Sequence, residues 1–275
     1  MTVTAAIGPK TDPAVHTVVF IKTLRDSRRA LLGWTAGITV ATLAYASFYP
    51  QMSANGAAQA ENLPEGLRDA LNMDDIVSAA GYLGSTVFGM IVPLLAMFFG
   101  SAVGARVSAA DEESGTLDLL MAHPITRTSF ITQRFAALIA AAIGVGAMVL
   151  LAVLAIRGSA QLTTISPGHF VAQCVHLILL IACFGALATA IGAVTGHRGT
   201  VFALTAVIGV AAWAAHTFAD QIGVGWAAYL SPFHYYIDSE PLRNGISVGG
   251  VGVLAAASMV MFTAGNYWFN HRDLG

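Results

Sequence analysis

Residues 170–187 read Phe170-Val171-Ala172-Gln173-Cys174-Val175-His176-Leu177-Ile178-Leu179-Leu180-Ile181-Ala182-Cys183-Phe184-Gly185-Ala186-Leu187, inside a run without Asp, Glu, Lys or Arg from 158 to 197. A helix crosses the hydrocarbon core of a bilayer with roughly 20 apolar residues. A charge at the centre of such a helix costs about 2.5–3.5 kcal/mol on insertion scales. Outward from this run lie five more charge-free stretches, 30–60, 76–105, 135–156, 199–219 and 244–271. Their apolar residues are continuous rather than alternating, so spanning helices are expected and a barrel is not. Apolar residues make up 56% of the chain and charged residues 10%, against roughly 25% charged in soluble domains. The expectation is an all-α polytopic membrane protein, residues 1–275 forming one transmembrane domain. Its six transmembrane helices fall near 30–49, 82–104, 133–156, 169–194, 200–219 and 247–269.

An even number of spans puts both termini on one side. With the termini in the cytoplasm, the inner segments carry Lys10, Lys22, Arg25, Arg28, Arg29, Arg106, Arg127, Arg134, Arg198 and Arg272, and the outer ones only Arg68, Arg157 and Arg243. Cytoplasmic loops favour Lys and Arg, which fixes this orientation. Tyr45, Phe48 and Tyr49 then mark the outer end of the first span, and Tyr267 and Trp268 the inner end of the last. The first 16 residues are polar, so no cleaved signal peptide is expected. Localisation in the cytoplasmic membrane follows, with several passes.

Three other regions have character. Over 14–29, Val15, Val18, Val19, Phe20 and Leu24 alternate with Lys22, Arg25, Arg28 and Arg29. This reads as an amphipathic helix lying on the inner membrane face, or as an extended basic flank. The loop 50–81 starts polar and flexible around Ser53-Ala54-Asn55-Gly56, and a short helix over 64–71 buries Leu63, Leu67 and Leu71. The segment 220–246 is too apolar for a solvated loop and is expected to hold short helices covered by protein.

Several chemistries are excluded. A phosphate-binding loop needs a Lys after a Gly-rich turn, and the only lysines, Lys10 and Lys22, lack that context. No carboxylate lies in the charge-free runs, which removes the usual relay of an ion-coupled pump. Ser85 and Ser101 lack the frame of a serine hydrolase. Cys174 and Cys183 lack metal-ligand spacing. No catalytic, cofactor or metal site is assigned, and no nucleic-acid partner is expected.

The informative loop follows the second span. It reads Asp111-Glu112-Glu113-Ser114-Gly115-Thr116-Leu117-Asp118-Leu119-Leu120-Met121-Ala122-His123-Pro124-Ile125-Thr126-Arg127. The three carboxylates suit a helix N-terminus. Leu117, Leu120 and Met121 share one helical face, and Pro124 ends the turn. Thr126 or Thr128 is placed to cap the next helix. The expected element is a short amphipathic helix over 111–122.

These residues resemble the loop between spans two and three in ATP-binding-cassette type-2 permeases. Supporting stretches are Arg28-Arg29-Ala30-Leu31-Leu32-Gly33-Trp34, Leu63-Pro64-Glu65-Gly66-Leu67-Arg68, Leu230-Ser231-Pro232-Phe233 and Arg272-Asp273-Leu274. His123 stands where the family favours a small or hydroxyl residue. The resemblance implies that 111–122 is a coupling helix docking on a separate ATPase subunit through Asp111, Glu112, Glu113, Gly115, Thr116, Leu117, Leu120 and Met121, with Pro124 and Arg127 beyond it. It also implies two ATPase subunits holding ATP and Mg2+, and a second permease chain, identical or homologous. The chain itself is then not an enzyme. Without buried charge, the pathway suits amphipathic or hydrophobic cargo such as a drug, an antibiotic or a lipid-like molecule. Alternatives are the same architecture in sensing or maturation of an extracytoplasmic protein, and a membrane enzyme using outer histidines.

Two polar features remain. Thr35, Thr39 and Thr42 lie at helical spacing beside Gly33 and Gly37. They mark a subunit contact, a cavity wall or ordinary packing within the chain. His169, Gln173 and His176 share a face of span four; His216 and Asp220 are one turn apart, and His234 and Asp238 follow. Cavity lining or interhelical hydrogen bonding is the expected role, without a stoichiometric metal; the alternative is a metal or proton site, since a spacing of four residues puts two ligands on one helix face.

Overall fold

The computed structural model describes residues 15–61, 77–108, 126–218 and 223–271. Helices α1 (Val15–Ser47) and α2 (Tyr49–Glu61) come first. The second span consists of α3 (Ala79–Tyr82), a π-helical run Leu83–Ile91 and α4 (Val92–Ser108). Then come α5 (Arg127–Ile156), α6 (Pro167–Thr195) and α7 (Arg198–Phe218). A 3-10 turn (Gly225–Leu230), α8 (Pro232–Ile237) and α9 (Pro241–Asn244) lead to α10 (Val248–His271). There is no strand among the described residues, and six helices are long and apolar enough to cross a membrane. The expected all-α polytopic membrane fold is what the chain adopts.

Local chemistry sets the span ends. Thr126 accepts from the Ser129 amide at 3.2 Å and starts α5. Ser166 accepts from the His169 amide at 3.2 Å, with Pro167 as the first residue of α6. Side-chain oxygens there satisfy amides that have no partner in the helix. Gly196 ends α6 at φ 70°, a left-handed conformation that glycine adopts without penalty. Arg157 closes the short turn between α5 and α6, donating to the carbonyls of Ile165 at 3.0 Å and Thr163 at 2.8 Å.

α6 is the hub. It packs against α4, α5, α7 and α10, and 67% of its most apolar window is buried, against 17% for α7. Between helices in lipid, close packing replaces the hydrophobic effect as the main attraction. Gly100 and Gly104 of α4 provide it: a Cβ on Gly100 would sit 2.6 Å from the Ile181 carbonyl oxygen, and Gly104 lies against Gly185. α1 packs chiefly on α5. Span hydroxyls bond back to their own helix. Thr42, Ser101, Thr189, Thr205 and Ser258 each donate to the carbonyl four residues earlier at 2.7–2.8 Å.

Two expectations change. The basic amphipathic segment is helical from Val15 on, but it is continuous with the first span rather than a separate element. The Phe20 amide donates to Gln133 Oε1 at 3.3 Å, tying this part of α1 to α5. Ser53–Gly56, read as flexible, lies within α2. Ala57, Ala58 and Ala60 follow Gly56, and alanine's helix propensity offsets the glycine. The short helix expected at 64–71 lies outside the described residues.

Candidate functional site

Most of the loop that carries the coupling reading, 109–125, lies outside the described residues, and with it Asp111, Glu112, Glu113, Gly115, Thr116, Leu117, Leu120, Met121 and Pro124. Its two flanks are described. Arg127 is the first residue of α5, directly after the Thr126 cap. Two turns on, Arg134 Nη1 donates to the carbonyls of Arg106 at 3.1 Å and Val107 at 3.4 Å. Those carbonyls belong to the last turn of α4, where no intrahelical amide is available and the dipole favours a cation. The Arg134 guanidinium also lies 4.3 Å from the Phe130 ring centre. The loop's two ends are therefore tied to each other. The sequence showed Arg134 only as a basic residue beside a span; its carbonyl partners leave no residue-type signal.

The chain's second polar region is at the opposite end of the bundle. His169 Nδ1 is 3.0 Å from the Leu242 carbonyl oxygen, and Gln173 is buried beneath the same short helices. His176 is fully buried, its Nδ1 2.9 Å from the Ala172 carbonyl oxygen. Gln173 and Tyr236 line a cavity of about 350 Å³ with Gly84, Ser85 and Asp238. Burial raises the Tyr236 phenol above its ordinary range, so it stays protonated. A second cavity, of about 650 Å³, shares Gly84, Ser85 and Asp238 and adds Trp213, His216 and His234. The π-helical run supplies the wall common to both. The α-helical partner of the Gly89 carbonyl would be residue 93, a proline without an N–H, and this carbonyl accepts instead from Trp213 Nε1 at 3.4 Å.

The structure groups the histidines differently from the sequence line. His169 and His176 belong to α6 and the elements covering it. His216 instead meets the segment before the last span, its Nε2 3.6 Å from Asp238 Oδ1, while His234 Nδ1 contacts Asp238 Oδ2. Asp220 lies outside the described residues. Of the threonine face, Thr35 is half-buried, while Thr39 and Thr42 are buried inside the chain itself. Gly33 and Gly37 turn the other way and, with Trp34 and Leu95, edge an open groove between α1 and α4.

A family model described as ABC-2 family transporter protein matches residues 17–274. The chain belongs to the ABC-2 transporter family. No curated protein matches it. The match covers every described span, so this ABC-2 protein is an ABC transporter membrane subunit, multi-pass and not itself catalytic. Membership implies association with an ABC ATPase subunit.

Proposed function

We propose that this chain is the permease of an ATP-driven exporter in the cytoplasmic membrane, with both termini and the loop 109–125 on the cytoplasmic side. Two permease chains, identical or homologous, enclose one pathway. Two ATPase subunits, which hold ATP and Mg2+, dock on the loops. The cargo is amphipathic or hydrophobic: a drug, an antibiotic or a lipid-like molecule. No carboxylate occurs in the charge-free runs, and the hydroxyls of Thr42, Ser101 and Thr189 bond their own backbone, which suits cargo without strong charge.

The observation that supports the coupling role is the Arg134 clamp. It joins the end of α4 to the first turns of α5. A push on the helix at 111–122 would then move both spans together. That helix docks by its apolar face, Leu117, Leu120 and Met121, as helix-in-groove contacts do. Anchors in desolvated pockets are worth about 2 kcal/mol or more each.

Leu117→Asp tests this. It puts an unpaired charge into the docking groove and alters no span. The mutant is expected to insert normally and to lose either ATPase-subunit pull-down or transport-linked ATP turnover. Glu113→Ala and Arg127→Ala are expected to be milder, because rim charges stay solvated. Wild-type pull-down and export by Leu117→Asp would end the coupling assignment.

A further inference from the structure

We propose that His216, His234 and Asp238 form a binding site for a divalent transition-metal ion, best matched to Zn2+, at the end of the bundle away from the termini. Three side chains from two elements converge there. His216 stands in the last turn of α7. His234 lies on α8, and Asp238 is its C-terminal cap residue, four positions later, so one helical turn puts both on the same side. One ligand atom from each of the three lies within 4.8 Å of the others. A tetrahedral ion at about 2.0–2.1 Å from its ligands spaces them about 3.3 Å apart. The 3.6 Å separation of His216 Nε2 from Asp238 Oδ1 is already close to that. His234 Nδ1 and Asp238 Oδ2 are in direct contact, and a bound ion would take the place of that contact.

The donor set selects the ion. Two imidazoles and a carboxylate are a usual zinc set that leaves a coordination position open. Mg2+ and Ca2+ prefer all-oxygen ligands. The open position has somewhere to face, since all three residues line the cavity of about 650 Å³. The His216 and His234 side chains are 12% and 21% exposed and that of Asp238 46%. The imidazoles are thus shielded while the carboxylate reaches the surface, which gives the ion a route in.

The ligands belong to two elements, so a bound ion would staple α8 to the end of α7 and fix one wall of the cavity. The sequence reading expected no metal. Helical spacing gave His234 and Asp238, but nothing in it placed α7 against α8. Metal binding is measured on the chain alone, so its failure and failure of the exporter reading are distinguishable.

The experiment uses the full chain purified in detergent without a histidine tag. After equilibration with Zn2+ and dialysis, about one ion per chain is expected by elemental analysis, and Co2+ should give a visible tetrahedral absorption band. His216→Ala and His234→Ala should each weaken Zn2+ binding by roughly 100-fold or more, beyond the loss typical of groups outside the ligand set. His169→Ala, at the same end but outside the cluster, should leave binding unchanged. His234→Cys should keep the ion and add a thiolate charge-transfer band to the Co2+ spectrum. That readout holds even if an alanine variant misfolds, and a merely structural histidine would not give it. Substoichiometric metal in the wild type, or binding indifferent to His216→Ala and His234→Ala, would overturn the site. So would a His234→Cys spectrum without the thiolate band.

Discussion

Arg134 joins two spans through one side chain. It sits on α5, yet its hydrogen bonds go to the last turn of α4, at Arg106 and Val107. Hydrogen bonds from a charged group are worth about 1.5–3 kcal/mol when their partners are left unsatisfied. Arg134→Gln is therefore expected to lower the thermal midpoint of the detergent-solubilised chain, read by intrinsic fluorescence, with a loss on that scale. Arg134→Lys should recover only part, because an ammonium lacks the planar fork of donors. A wild-type midpoint for Arg134→Gln would mean the clamp contributes nothing. Single residues also show where sequence reading stops. Thr42 looked like one step of a polar stripe, but its hydroxyl is buried and spent on the Ile38 carbonyl at 2.8 Å. Residue type reports polarity, whereas the partner, most often a backbone carbonyl, has no signal in the sequence. His216 and His234 make the same point: each was visible, and their meeting was not.

Elements were legible where one physical cost dominates. Charge is so costly in hydrocarbon that its absence delimits the spans, and Thr126, Ser166 and Pro167 supply start signals that the sequence shows directly. The π-helical run Leu83–Ile91 is missing from the sequence reading, although Pro93 just after it withholds an amide from the helix and marks a place where the hydrogen-bond ladder must change. The start of α1 was misread for a related reason. Arg28 and Arg29 mark the depth at which charge becomes tolerable, not a break in hydrogen bonding, and the helix runs unbroken from Val15 to Ser47. Ala30→Pro separates the two pictures. At the first turn of a new span a proline is tolerated, because its missing amide would have no partner there. Inside a continuous helix it removes one hydrogen bond, clashes with the preceding turn and costs about 3 kcal/mol or more. The expected outcome is the second, seen as a clear fall in thermal midpoint and in yield of folded chain. A tolerated proline would place a helix boundary at residue 30.

At the scale of the whole molecule, one hub helix organises the rest. α6 packs against the second, third, fifth and sixth spans, and the first reaches the bundle mainly through α5. This arrangement leaves α7 and α10 with large apolar side chains such as Val207, Val210, Met259 and Val260 facing outward. A soluble protein would not sustain such exposure, whereas lipid or a second permease chain accommodates it. Six spans put the beginning of α1 and the end of α10 at the same end, and they put α2 and the short helices α8 and α9 at the other. The basic residues support the proposed side: Lys22, Arg25, Arg28 and Arg29 cluster at the end that holds the termini, and the positive-inside rule favours the cytoplasm for such an end. Accessible thiols test the assignment. The native Cys174 and Cys183 are 4% and 1% exposed, so they give little background. Asn55, Asn244 and His271 are exposed, the first two at the far end and the last at the termini end. In intact cells, Asn55→Cys and Asn244→Cys are expected to react with a membrane-impermeant maleimide, and His271→Cys only after permeabilisation. Labelling at 271 without permeabilisation, with 55 and 244 protected, would invert the orientation. It would also put the loop 109–125 on the wrong side of the membrane for a cytoplasmic ATPase, so the topology and the coupling mechanism stand or fall on that one comparison.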